Sequence, residues 1–147
     1  MLLIDPRNPR SRELGDKIVE KLDGQQLPFS LVIGGDGWML DCIRAHGPKH
    51  VYMGLNAGTL GFLMNDPYRL VDTVEKILSN RYVIHRFPRL KINGELCDET
   101  KFEAFAVNDV CVARQLGRAA NLRLMIDGAE VVERLICDGL VVATSLG

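Results

Sequence analysis

Leu31-Val32-Ile33-Gly34-Gly35-Asp36-Gly37 joins a short apolar run to a glycine turn bearing one carboxylate, and Met39, Cys42 and Ile43 follow at helical spacing. The pattern is strand, turn, helix. Glycines let backbone N–H groups approach a polyphosphate, and a helix beginning near Trp38 points its positive end at that anion. Asp36 would repel phosphate unless a cation lies between them or the carboxylate faces a hydroxyl, so magnesium handling or general-base work is its expected use. Both belong to phosphoryl transfer. Asp36-Gly37 alone would also suit a hairpin turn, but strand alternation does not follow it. The segment is neither a Walker loop, since no Gly-x-x-x-x-Gly-Lys-Ser/Thr occurs, nor a dinucleotide fingerprint, since the third glycine is missing.

Outward from this turn, Leu2-Leu3-Ile4 reads as an opening strand, and Ser11 as the cap of a helix through Leu14, Ile18 and Leu22 that ends at Gly24. The helix after the glycine turn extends to about Ala45, and Val51 to Leu55 is a third strand. Asp66-Pro67 starts a helix with Leu70, Val74, Ile77 and Leu78 on one face. This alternation predicts a Rossmann-like α/β domain with a parallel sheet over residues 1–87. Beyond Pro88 the period changes to two, with Leu122, Leu124 and Ile126 alternating with Arg123, Met125 and Asp127, and hairpins are expected at Asn93-Gly94 and Asp127-Gly128. Residues 88–147 therefore read as the first part of an all-β, sandwich-type domain. Because Leu140-Val141-Val142-Ala143 is followed only by Thr144-Ser145-Leu146-Gly147, the chain looks cut within an architectural unit.

The 147 residues are 47% hydrophobic and 25% charged with net charge −1, which gives no extended nucleic-acid surface; Arg81, Arg86, Arg89 and Lys91 form only a local basic stretch. No apolar run approaches the roughly 20 residues of a membrane span, and Met1 to Ile4 is too short for a signal peptide, so the expected location is cytoplasmic. Cys42, Cys97, Cys111 and Cys137 lie far apart, and His46, His50 and His85 add no ligand spacing, so no protein-built metal site is expected.

Three further clusters place polar or glycine residues in apolar surroundings: Gly54-Leu55-Asn56-Ala57-Gly58-Thr59-Leu60-Gly61-Phe62-Leu63, Asn108-Asp109 and Asp138-Gly139. The first is a second strand-to-glycine turn, able to line one crevice with Gly34 to Gly37. Asn108-Asp109, between Phe105-Ala106-Val107 and Val110-Cys111-Val112, marks a bulge or a hydroxyl-recognition site. Taken in order, and with Asn56-x-Gly58-x-Leu60-Gly61-Phe62-Leu63 as the most specific part, these clusters resemble the NAD kinase family. Diacylglycerol and sphingosine kinases share the glycine turn but not the Asn56 to Leu63 signature.

The resemblance implies phosphorylation of the 2′-hydroxyl of the adenosine ribose of NAD, with ATP or polyphosphate as donor and Mg2+ as cofactor. It implies Asp36 as general base, Gly35, Gly37 and Gly58 against phosphates, Asn108 and Asp109 at the ribose and adenine side, Phe62 as adenine wall, Asp138 at the nicotinamide end and Thr144 in the NAD site. It also implies a homo-oligomer, dimer or tetramer, without nucleic-acid or membrane partners. Three departures stand out: Trp38 where the family usually has threonine, Asp109 where it has glutamate, and Ser145-Leu146-Gly147 where it continues Pro-Thr-Gly-Ser-Thr-Ala-Tyr. The alternatives are a lipid kinase and a catalytically silent nucleotide-binding homologue.

Overall fold

The computed structural model describes residues 1–47 and 50–147, which divide into two compact units, Met1–His85 and Arg86–Gly147. In the first, β1 (Leu2–Ile4), α1 (Pro9–Leu22), β2 (Ser30–Gly34), α2 (Asp36–His46) and β3 (Tyr52–Asn56) are followed by a 3-10 turn (Pro67–Arg69) and α3 (Leu70–Leu78). The strands form a parallel sheet in the order β1-β2-β3, with Leu3 opposite Val32 and Val32 opposite Gly54.

The middle strand β2 is buried along its whole length, as a parallel strand covered on both faces must be. Its side chains alternate between two cores. Leu31 and Ile33 join Leu55, Ile18 and Leu22 of α1, and Val74 and Ile77 of α3, whereas Val32 packs with Met39 and Cys42 of α2. Burial pushes the Cys42 thiol up to about 11, with the charges of Asp41 and Asp5 adding to the effect, so this cysteine is a small hydrophobe rather than a nucleophile.

Two helix starts differ from expectation. Asn8, not Ser11, caps α1: its side chain accepts from the Arg10 N–H at 3.0 Å, and Pro9 takes the first helical position, where its fixed φ and missing N–H cost nothing. Ser11 lies inside the first turn, fully buried. α2 begins at Asp36, two residues before Trp38, with Gly35 as its cap. The α1 end is as read, with Asp23 left-handed and Gly24 beyond it at φ 74°.

The second unit consists of antiparallel pairs: β4 (Leu90–Glu95) with β5 (Lys101–Ala106), β6 (Asp109–Ala113) with β9 (Gly139–Ala143), and β7 (Ala120–Ile126) with β8 (Ala129–Cys137). Asp127 and Gly128 connect β7 to β8 with φ of 51° and 79°, the positive pair that a tight hairpin turn demands. Asn93-Gly94 is not a turn. Both residues lie within β4, opposite Glu103 and Phe102, and the chain reverses over Leu96–Thr100, where Asp98 accepts from the Thr100 N–H. The Phe102 ring lies across Gly94, in the space a Cβ would take. Asn108-Asp109 is likewise no bulge: β5 has ended at Ala106 and β6 starts at Asp109. Among the described residues every buried hydrophobic side chain belongs to the first unit, while Phe102, Phe105, Val112 and Val142 of the second stay about half exposed.

Candidate functional site

A parallel sheet presents its ligands at the carboxyl ends of its strands. Here those ends carry Asp5 to Asn8 after β1, Gly34 to Gly37 after and within β2, and Asn56 to Leu63 after β3. They are laced together. The Asn8 side-chain amide donates to the Ala57 carbonyl at 3.0 Å, and the Ala57 N–H donates to the Gly34 carbonyl at 2.8 Å. Gly58 lies beside Gly35, where a Cβ on Gly58 would stand in ordinary van der Waals contact with the Gly35 Cα at 3.5 Å. The Asn56 side chain accepts from the Gly58 N–H at 2.9 Å and shapes the start of the turn, while Asn65 closes its end with N–H and side-chain bonds to the Gly54 carbonyl at 2.8 and 3.0 Å.

Asp36 sits at the centre of this arrangement. As the first residue of α2, its carboxylate lies at the helix's positive end. One oxygen accepts from the Phe62 N–H at 3.1 Å and the other from the Leu63 N–H at 2.9 Å. A carboxylate oxygen has two lone pairs, so each retains capacity for a hydroxyl proton or a cation. The Phe62 ring is 88% exposed, a free apolar wall beside the carboxylate's backbone partner. Gly37, the second residue of α2, is exposed as well.

Trp38 packs against the ends of β1 and β2. Its indole N–H donates to the Leu3 carbonyl at 3.3 Å, and its side chain lies against Gly34, where a Cβ would be 2.7 Å from the indole Cδ1. Arg7 covers the ring at 5.5 Å and reaches both Asp5 (3.1 Å) and Asp41 (3.6 Å). Burial opposes the charge on Asp5, but the hydrogen bonds and the positive charge of Arg7 outweigh it and hold the carboxyl below its usual range. Since the folded value lies below the unfolded one, this stabilisation is present above pH of about 4 and is lost as the pH falls through the folded value. In thermal melts between pH 5 and 3, Asp5→Asn is expected to flatten the acid limb; an unchanged slope would contradict the role given to this pair.

In the second unit Asn108 and Thr144 come together. The Asn108 carbonyl accepts from the Thr144 N–H at 2.7 Å, and the Thr144 hydroxyl donates to the Val107 carbonyl at 2.7 Å and accepts from the Leu146 N–H at 3.1 Å. The Asn108 side-chain oxygen is buried without a donor, an expense that a ligand's N–H or O–H would remove. Asp109 heads β6, exposed and opposite Ala143. Asp138, directly before β9, is ion-paired with Arg114, whose own N–H donates to the Asp138 carbonyl at 2.9 Å.

Thus Gly35, Asp36, Gly58 and Phe62 share one place in the first unit, and Asn108 and Thr144 share one in the second, with Asp109 following Asn108 directly. Sequence reasoning passed over Asn8, Asn65, Arg7 and Arg114. The Asn8-Pro9 pair is a capping signal that reveals the first. Asn65 bonds Gly54, eleven residues back, Arg114 pairs with Asp138, and Arg7 reaches Asp41 and Trp38 besides its neighbour Asp5, and those distant partners leave no local signal.

The architecture is a parallel α/β sheet with a glycine turn between β2 and α2, followed in the chain by an antiparallel β unit, and this fold recurs in the crystal structure of yeast NADH kinase complexed with NADH. That structure superimposes with a TM-score of 0.80 over 97% of this chain and 56% of its own, at 19% identity. No family model matches the chain. In sequence it is similar to the NAD kinases of Hyphomonas neptunium (37% identical over 125 residues), Brucella melitensis (38% over 119) and Thiobacillus denitrificans (41% over 124). These alignments cover 80% of this chain and 45%, 45% and 41% of those proteins, so the chain spans less than half the length of the curated relatives it matches. The resemblance to the NAD kinase family therefore holds across most of the chain.

Proposed function

We propose that this chain supplies the reacting carboxylate, the phosphate turn and part of the dinucleotide site of an NAD kinase, which transfers a phosphoryl group from ATP or polyphosphate to the 2′-hydroxyl of the adenosine ribose of NAD. The observation that carries the reading is the position of Asp36: it starts the helix that follows the glycine turn, and both its oxygens meet the Asn56 to Leu63 signature. A ribose hydroxyl is a weak nucleophile, so a positioned carboxylate that takes its proton, with backbone donors around the transferred group, is the apparatus the chemistry needs. Gly35, Gly37 and Gly58 bring backbone to the phosphates, and Phe62 walls the adenine.

Asn108, Asp109 and Thr144 contribute to binding of the ribose and adenine side. The orphaned Asn108 oxygen is what supports that role. Asp138 is assigned to the nicotinamide end, where its ion pair with Arg114 would have to open or to present the carboxylate's remaining lone pairs. Among the described residues no three His, Cys, Asp or Glu side chains are grouped to cage a metal. Mg2+ keeps waters and is held by phosphates with one or two carboxylates, so it asks for no such cage. Asp36 is the carboxylate at hand, and the ion would neutralise phosphate charge. The likeness of the relatives favours NAD over a lipid acceptor, and no helix among the described residues is long and apolar enough to cross a membrane. A cytoplasmic homo-oligomer, dimer or tetramer, completes the proposal.

NAD binding tests it. The Asn108 side-chain oxygen has no hydrogen bond to lose, so Asn108→Ala should leave the melting temperature within about 2 °C. Calorimetric titration should show NAD affinity about fivefold to tenfold weaker, the loss of one hydrogen bond of roughly 1 kcal/mol. Equal affinity in the two proteins would remove Asn108 from the site.

A further inference from the structure

We propose that Asp36 is, besides its part in phosphoryl transfer, the latch of the turn over residues 57–63, so that the Phe62 wall and the phosphate turn are held as one piece. The inference rests on the NAD kinase reading only for the identity of the ligand. Within the turn, the bonds from the Gly58 N–H to the Asn56 side chain and from the Met64 N–H to the Gly61 carbonyl are local. The near limb is tied to β2 through Ala57 and Gly34. Opposite it, the far limb is tied to α2 through the Phe62 and Leu63 N–H groups, and both end on Asp36.

Packing does not replace those two bonds at Phe62. Leu60 is 67% exposed and Phe62 88%, and only Leu63 and Met64 rest against the cluster of Val32, Met39 and Cys42. An ionised acceptor makes stronger bonds to N–H groups than a neutral one, which suits a carboxylate rather than an amide at this position. The wall for the adenine is therefore set by the same side chain that faces the ribose hydroxyl, and a ligand that draws on Asp36 acts on Phe62 as well. Asp36 is in this respect a positioning residue for adenine.

Amide hydrogen exchange of the whole chain, residue by residue and without ligand, tests the latch directly. In Asp36→Ala, exchange at Phe62 and Leu63 is expected to rise about tenfold or more while Ala57 and Gly58, whose acceptors are Gly34 and Asn56, stay within about twofold. Asp36→Asn keeps one carbonyl acceptor and should recover part of the protection. Affinity for adenosine monophosphate, which lacks both donor phosphates and nicotinamide, should fall about fivefold in Asp36→Ala and recover in part in Asp36→Asn. Unchanged exchange at Phe62 and Leu63 would overturn the proposal, as would raised exchange with undiminished affinity for a ligand the unmodified chain binds. Should Asp36→Ala loosen the whole unit, Asp36→Asn decides by the same comparison of Phe62 and Leu63 with Ala57 and Gly58. If exchange behaves as expected but the unmodified chain binds no adenosine monophosphate, the latch stands and the assignment of Phe62 to the adenine fails.

Discussion

Asp36→Asn is expected to lower NADP formation by about 10²- to 10⁴-fold, the usual contribution of a positioned general base. The substitution keeps the volume and one carbonyl acceptor but can no longer take a proton from the ribose hydroxyl. Because Gly35, Gly37 and Gly58 act through backbone, the apparent affinity for the phosphoryl donor should change far less than the turnover number. A variant that keeps half the activity or more would show that Asp36 is structural only, since its bonds to Phe62 and Leu63 would then be its whole contribution. The split between turnover and affinity for NAD separates the base from the positioning role.

Leu55→Ala is expected to cost about 2–5 kcal/mol of stability, from lost burial and the cavity left behind. Leu55 is fully buried, pairs in register with Ile33, and packs in the cluster that joins α1 and α3 to the sheet. Set against the roughly 5–15 kcal/mol by which a domain is stable, that loss is large. Leu60→Ala, five residues on but 67% exposed, should change stability by no more than about 0.5 kcal/mol. Urea unfolding of both variants checks the contrast; equal effects would contradict the placement of β3 in the core.

Leu31 to Ile33 and the residues after the glycine turn were legible because a strand buried on both faces is continuously apolar and the helix behind it repeats every three to four residues. Ser11 was misread as a cap although Asn8-Pro9 is the stronger signal: a serine inside a first turn and a serine before one look alike until the helix face is known. Gly94 was misread for a related reason. Asn-Gly is a turn dipeptide by local preference, but here the glycine makes room for Phe102 across the strand pair, and cross-strand packing overrode that preference.

The candidate site divided along the same line. Asp36, Phe62 and Asn108 could be named from motif and resemblance, whereas the bonds from Asp36 to the amides of Phe62 and Leu63 span 26 and 27 residues and exist only once the sheet has aligned the two turns. Trp38 gives the converse case. In sequence it is a large ring at a phosphate turn; in the fold its indole N–H reaches back to Leu3, and Gly34 is the residue that accommodates it.

NADP formation from NAD and magnesium, with ATP in one arm and polyphosphate in the other, tests the central claim most directly, read through a coupled NADP-dependent dehydrogenase. The account predicts product in at least one arm and its near-complete loss in Asp36→Asn. Folded protein that binds NAD yet forms no NADP in either arm would contradict it.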